Sequence, residues 1–126
     1  MKKTLTIAPL STPQTLTISA WKAIEGASRL FLQTAEHPSA RPVLEAGLSY
    51  VSMDDLYADS ADYDELNEAI ADRLTSGDSA VYAVMGGGCY SQLASIQHAC
   101  ERKGFELVQL PGVAYYQAAF PEAQAG

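Results

Sequence analysis

Basic side chains are scarce in this chain. Eight Lys and Arg stand against fifteen Asp and Glu, for a formal charge of -7. No cluster of cations offsets the excess, so a phosphate backbone would be repelled and a nucleic-acid partner is not expected. Long apolar runs are lacking too. The N-terminus, Met1-Lys2-Lys3-Thr4-Leu5-Thr6-Ile7, has the lysines of a leader, but its apolar run stops at Leu10 with no cleavage-type segment after it. No stretch approaches the ~20 apolar residues that span a bilayer. A cytoplasmic protein with no membrane partner is expected. Cysteine is limited to Cys89 and Cys100, neither in a C-x-x-C pair, which excludes a disulfide framework. With only His37 and His98 beside them, no metal site is expected. Cys100, near the end of an expected helix, reads as a small core residue. There is no Ser-His-Asp arrangement in recognisable context and no G-x-x-x-x-G-K-[ST] loop, so no catalytic residue is assigned.

What is present suits one globular domain. Apolar residues make up 48% of the chain and charged residues 18%, a balance that allows one buried core. Much of the acidity lies between Asp54 and Asp72 and reads as a solvated helix face. Short β-branched runs alternate with helical spacing. Strands are expected at about residues 4–8, 29–33, 48–51, 79–84 and 105–110. Between them, Thr17 caps a helix bearing Ile18, Trp21 and Ile24. A short helix follows Pro38, with Ser39 as cap and Gly47 past its end. A clear amphipathic helix runs from about Ala61 to Ser76, with Tyr63, Leu66, Ile70 and Leu74 on one face and Gly77 ending it. A further helix carries Leu93, Ile96 and Cys100 and ends at Arg102-Lys103-Gly104, and a last one starts near Ala114. The β-α alternation predicts an α/β fold: an open, mostly parallel five-stranded sheet with helices on both faces. The first and fourth strands are expected to be neighbours, since Ile7 and the apolar run Val81–Val84 call for central, covered positions. The chain reaches Gly126 soon after that last helix begins, as a longer protein cut after its first domain would.

In such sheets ligands bind beyond the carboxyl ends of the strands. Three loops are therefore candidates: Ala8 to Thr15, Met85 to Tyr90, and Pro111 to Tyr115. The middle one has the best physical case. Gly86, Gly87 and Gly88 let the backbone approach a ligand closely, and the helix that follows offers free N–H groups to a carboxylate or phosphate. A plain tight turn would leave the same glycines. His37, before Pro38, could line a cleft or be an ordinary loop histidine. His98 reads as a surface residue. Tyr115 and Tyr116 could stack on a flat ligand or simply pack.

These segments, in this order, resemble the N-terminal domain of the tetrapyrrole (corrin/porphyrin) methylase family. Val81-Tyr82-Ala83-Val84-Met85-Gly86-Gly87-Gly88 is similar to the family's apolar strand and Pro-Gly-Asp-Pro loop. Leu110-Pro111-Gly112-Val113-Ala114 is similar to its Pro-Gly-Val-Ser motif, and Leu16 to Ile24 to its first helix. Gln33-Thr34-Ala35-Glu36-His37-Pro38, with Asp54-Asp55-Leu56-Tyr57 and Tyr63-Asp64-Glu65-Leu66, resembles the branch fused to a nucleoside triphosphate pyrophosphohydrolase. The resemblance implies a two-domain enzyme that moves a methyl group from S-adenosylmethionine to a tetrapyrrole carbon, with this chain as the first domain. By position, Met85, Gly86, Gly87, Gly88, Gly112 and Val113 would bind the cofactor. Pro9, Leu10, Ser11, Thr12 and Pro13 would face the tetrapyrrole-like substrate. The family's first loop is rich in glycine, whereas Ala8-Pro9-Leu10-Ser11-Thr12-Pro13 has none, so side chains occupy space left open elsewhere.

Two functions follow. One is an S-adenosylmethionine-dependent methyltransferase domain, inactive as this fragment. The other is a non-catalytic binding or regulatory module of a pyrophosphohydrolase fusion. A homodimer is expected in either case, because Val113, Tyr115, Tyr116 and Phe120 would form an apolar patch facing the missing half.

Overall fold

A computed structural model describes residues 3–10, 17–85 and 90–110. Five strands form one sheet: β1 (Lys3–Leu10), β2 (Leu30–Leu32), β3 (Val51–Ser52), β4 (Ala80–Met85) and β5 (Phe105–Gln109), in the order β3-β2-β4-β1-β5. Every pairing is parallel. As expected, β1 and β4 are neighbours, in register from Leu5↔Ala80 to Leu10↔Met85. They occupy central positions because both faces of each are apolar: all six residues of β4 are buried.

The pleat divides these side chains between two clusters. Leu5, Ile7, Phe31, Tyr82 and Val84 face α4 (Tyr63–Leu74) and α5 (Tyr90–Lys103), meeting Leu66, Ile70, Leu74, Ile96 and Cys100. Ala8, Leu10, Leu30, Leu32, Val81, Ala83 and Met85 face α1 (Ile18–Glu25) and α2 (Arg41–Glu45), meeting Ala20, Ile24 and Val43. Helices therefore cover both faces of the open sheet.

Local chemistry sets the helix ends. The Thr17 hydroxyl accepts from Ala20 N–H at 3.1 Å, as the sequence led us to expect. Asp62 caps α4 by accepting from Glu65 N–H at 2.8 Å, and the Glu65 carboxylate reaches back to Ala61 N–H. Gly104 takes φ +77° at the end of α5, a conformation that disfavours a side chain.

Several expectations are corrected. The third strand is found at Val51–Ser52, not 48–51. Gly47 at φ +70° and the Leu48 N–H bond to Val43 O use residues 47–48 to close α2. A separate short helix, α3 (Asp54–Asp59), precedes α4. Tyr63 is 79% exposed, since it opens α4 a turn before the packed face of Leu66, Asn67, Ile70, Ala71 and Leu74. The cap of the turn at Pro38–Ala40 is His37, whose Nδ1 accepts from Ser39 N–H at 3.0 Å; Ser39 is buried. Thr75, not Gly77, closes α4, its hydroxyl donating to Ala71 O at 2.8 Å. Gly77 instead lies under Arg29, where a Cβ would come within 3.1 Å of the guanidinium.

Candidate functional site at the carboxyl ends of the strands

The connections from β1 and β4 diverge. The chain leaves β1 for α1 on one face and β4 for α5 on the other. Two neighbouring parallel strands whose connections part in this way leave a crevice beyond their carboxyl ends, where ligands bind in open α/β sheets. Leu10 and Met85, the last residues of the two strands, are Cα partners at that point.

Of the residues singled out in the sequence, the structure brings Pro9, Leu10 and Met85 together there. Strand β1 continues to Leu10, so the loop expected from Ala8 begins two residues later. Pro9 is half-buried and Leu10 fully buried in the core beneath α1. Pro9 costs the sheet no hydrogen bond. It faces the same side as Ile7, whose carbonyl takes the Leu110 N–H, and the pairing with β5 has by then ended at Ile7↔Gln109. Met85 is buried, and its N–H donates to Gln33 Oε1 at 2.8 Å. That bond commits the Met85 N–H within the domain. Ser11, Thr12, Pro13, Gly86, Gly87, Gly88, Gly112 and Val113 lie outside the described residues.

Beside this crevice, beyond β2, β3 and β4, is a cavity of about 340 Å³ lined by Gln33, Thr34, His37, Asp54, Tyr57 and Met85. Of these, the sequence had pointed to His37 and Met85 as ligand-facing candidates, while Gln33, Thr34, Asp54 and Tyr57 stood in the segments that resemble the fused branch. Burial works to raise the Asp54 carboxyl, but hydrogen bonds from the Thr34 side chain, Ala35 N–H and the Ser52 side chain outweigh it and hold the group below its ordinary value. Asp54 Oδ2 accepts from Ala35 N–H at 3.0 Å, tying the segment after β2 to the start of α3. A buried chain enters from the other side: the Tyr82 hydroxyl donates to Gln92 Oε1 at 2.9 Å, and Gln92 Nε2 donates to the Tyr57 hydroxyl at 2.8 Å. Gln33 and Gln92, both buried, thus grip the chain just before and just after the glycine run. Neither is found by helix or strand periodicity, because the signal is a polar residue among apolar neighbours. Gln33 shows it by following Leu30-Phe31-Leu32, whereas Gln92 sits among polar neighbours and gives none.

The start of α3 is further held by Arg73, whose guanidinium makes paired 2.8 Å bonds to Asp55 and a 3.2 Å bond to Ser52 O. The Arg73 hydrogen bond lowers the Asp55 carboxyl to about 2. A carboxyl depressed on folding adds stability that is present above its ordinary range and lost as pH falls through the folded value. The urea midpoint is therefore expected to fall between pH 4 and pH 2, and Asp55→Asn should flatten that part of the profile. An unchanged profile in the variant would show that the pair does not contribute.

Cys100 is buried, and burial pushes its thiol up, as befits a packing residue rather than a nucleophile. His98 is exposed. Among the described residues no group of His, Cys, Asp and Glu could hold a metal ion, and no helix is long and apolar enough to cross a membrane.

The fold is that of a parallel α/β domain whose central strands, β1 and β4, part at their carboxyl ends toward helices on opposite faces. The model of the family described as Tetrapyrrole (Corrin/Porphyrin) Methylases matches residues 8–125, and the chain belongs to that family. The family is of the S-adenosylmethionine-dependent methyltransferase type. No curated protein matches the chain.

Proposed function

We propose that this chain is the first domain of an S-adenosylmethionine-dependent methyltransferase acting on a tetrapyrrole or related flat acceptor, and that it does not turn over alone. One observation carries the reading: β1 and β4 end side by side at Leu10 and Met85, and a glycine run follows Met85 in the sequence. A sulfonium carries positive charge, and residues 11–16, 86–89 and 111–126, which follow β1, β4 and β5 in the sequence, contain no Lys or Arg. Gly86, Gly87, Gly88, Gly112 and Val113 are the residues to hold it, with the start of α5 offering N–H groups to its carboxylate. Bound S-adenosylmethionine supplies an activated methyl group. The chain's part is to position the acceptor in line with it and keep water out.

Inactivity is part of the proposal because the described residues supply one side of the crevice, and a half-open crevice leaves the cofactor in water. A few backbone hydrogen bonds at about 0.5–1.5 kcal/mol each meet an association cost of at least ~4 kcal/mol. Binding is therefore expected at about 1 mM or weaker. An amide-resolved NMR titration with S-adenosylhomocysteine checks this, with shifts expected at Met85 to Gly88 and at Gly112. Low-micromolar affinity abolished by Gly87→Val would show the half-site to be complete. No shifts at saturating ligand would sink the methyltransferase reading.

That last result would favour a non-catalytic module of a pyrophosphohydrolase fusion, a reading supported by the glycine-free segment Ser11 to Leu16. In both readings a homodimer is proposed; Val113, Tyr115, Tyr116 and Phe120, the apolar residues expected from the sequence to pair two copies, lie outside the described residues. Light scattering at micromolar concentration should find a dimer, and monomer alone would count against the patch.

A further inference from the structure

The glycine run joins β4 at Met85 to α5 at Tyr90, and the side chain that fixes its far end reaches a helix at the surface. Gln92, in the first turn of α5, is 3% exposed, and both ends of its amide are engaged. Its Oε1 accepts from the Tyr82 hydroxyl at 2.9 Å, and its Nε2 donates to the Tyr57 hydroxyl at 2.8 Å. Tyr82 is fully buried in the central strand β4, whereas Tyr57 is 41% exposed on α3. An apolar side chain of this size would fill the same space at little cost. What the amide adds is direction, since two hydrogen bonds set the first turn of α5 against the sheet on one side and α3 on the other.

The far partner of this link is loosely packed. No residue of α3 is buried, and Leu56 meets the core only half-buried. Side-chain bonds set its place: Asp54 to Ala35 N–H, Asp55 to Arg73, and Tyr57 to Gln92. An element held in this way shifts at lower cost than one held by buried apolar area. A shift of α3 draws Tyr57 away from Gln92 and leaves the buried Nε2 without its acceptor, and the first turn of α5 bears the strain.

We propose that Gln92 is a positioning residue for the methyl-donor site and that α3 sets donor affinity through it. The inference rests on the reading that the glycine run and the start of α5 hold the donor. It gives α3 a regulatory part: contacts that keep α3 in place tighten donor binding, and contacts that displace it loosen donor binding.

The test uses the full chain and needs no turnover. Tyr57→Phe keeps the ring and removes the acceptor of Gln92 Nε2. Val43→Ala, in the cluster on the opposite face of the sheet, is the control for lost stability. The first readout is hydrogen exchange at Ala94 and Ser95, whose amides close the first turn of α5. Both should exchange faster in Tyr57→Phe than the loss of global stability gives, and should follow the global change in Val43→Ala. The second readout is S-adenosylhomocysteine affinity by NMR titration. It should weaken about three- to tenfold in Tyr57→Phe, the worth of one hydrogen bond, and stay unchanged in Val43→Ala. In a Gln92→Leu background Tyr57→Phe should add nothing, because the link is already cut. Exchange at Ala94 and Ser95 that merely follows global stability in Tyr57→Phe overturns the proposal. Additive losses in the double variant overturn it too, since Tyr57 would then act without Gln92. Wild-type binding of S-adenosylhomocysteine that Tyr57→Phe leaves unchanged sinks this inference and spares the methyltransferase reading. Accelerated exchange in the variant, with no wild-type response to S-adenosylhomocysteine, sinks that reading and the donor role of Gln92 with it. If Gln92→Leu fails to fold, Tyr57→Phe decides alone.

Discussion

Ile70→Ala is expected to cost the fold about 2–5 kcal/mol, the usual loss when a large aliphatic core residue is cut back to alanine. Ile70 is fully buried in the middle of α4, within the cluster that joins Leu66 and Leu74 to Ile96 and Cys100 of α5 and to Tyr82 of the sheet. The loss combines transfer of the removed methyl groups with the cavity left between two helices that cannot easily close on it. Urea unfolding should show a lower midpoint with an unchanged slope. Tyr63→Ala, one of the four positions on the periodic face of the same helix, is the control. Because Tyr63 is 79% exposed, its truncation should stay within about 0.5 kcal/mol. Equal losses at the two positions would contradict the packing described for α4.

Gln33→Leu is expected to destabilise the fold by about 1–3 kcal/mol, because it removes the acceptor from a buried N–H without giving that donor access to water. The donor is Met85 N–H, at 2.8 Å. The effect should be local as well as global. Met85 is the last described residue before the glycine run, so loosening it frees the stretch proposed to meet the cofactor. Hydrogen exchange at the Met85 amide is the sharpest readout. Exchange should accelerate in the variant beyond what the loss of global stability alone would give, while Ala83, deeper in the strand, follows the global change. Retained protection at Met85 would show that Gln33 is not its essential partner.

The amino-acid sequence by itself determined the alternation of strands and helices, the five-stranded parallel sheet and the adjacency of its first and fourth strands. It also determined the helix ends at Thr17 and Gly104, because caps and positive-φ glycines are local events. Leu5, Ile7 and the run from Ala80 to Met85 could lie only where both faces of a sheet are covered, so burial of β1 and β4 was legible before any coordinates. The order of motifs placed the candidate crevice at Met85 and the glycines after it. Where sequence expectation and structure part, a longer-range contact competes with a local signal. Gly77 has the look of a helix stop but sits under Arg29, 48 positions earlier in the chain. Leu48 to Val51 has strand-like composition, but Leu48 is spent on closing α2.

The cavity itself was decided by tertiary structure alone. Gln33, Met85 and the α3 pair Asp54 and Tyr57 come from three separate segments, and Gln92, which braces Tyr57, comes from a fourth. Asp54 looked like one more acid on a solvated face until the sheet placed it against the Ala35 N–H. No periodicity links such residues, because what joins them is the parallel register of β2, β3 and β4, which brings their carboxyl ends to one edge.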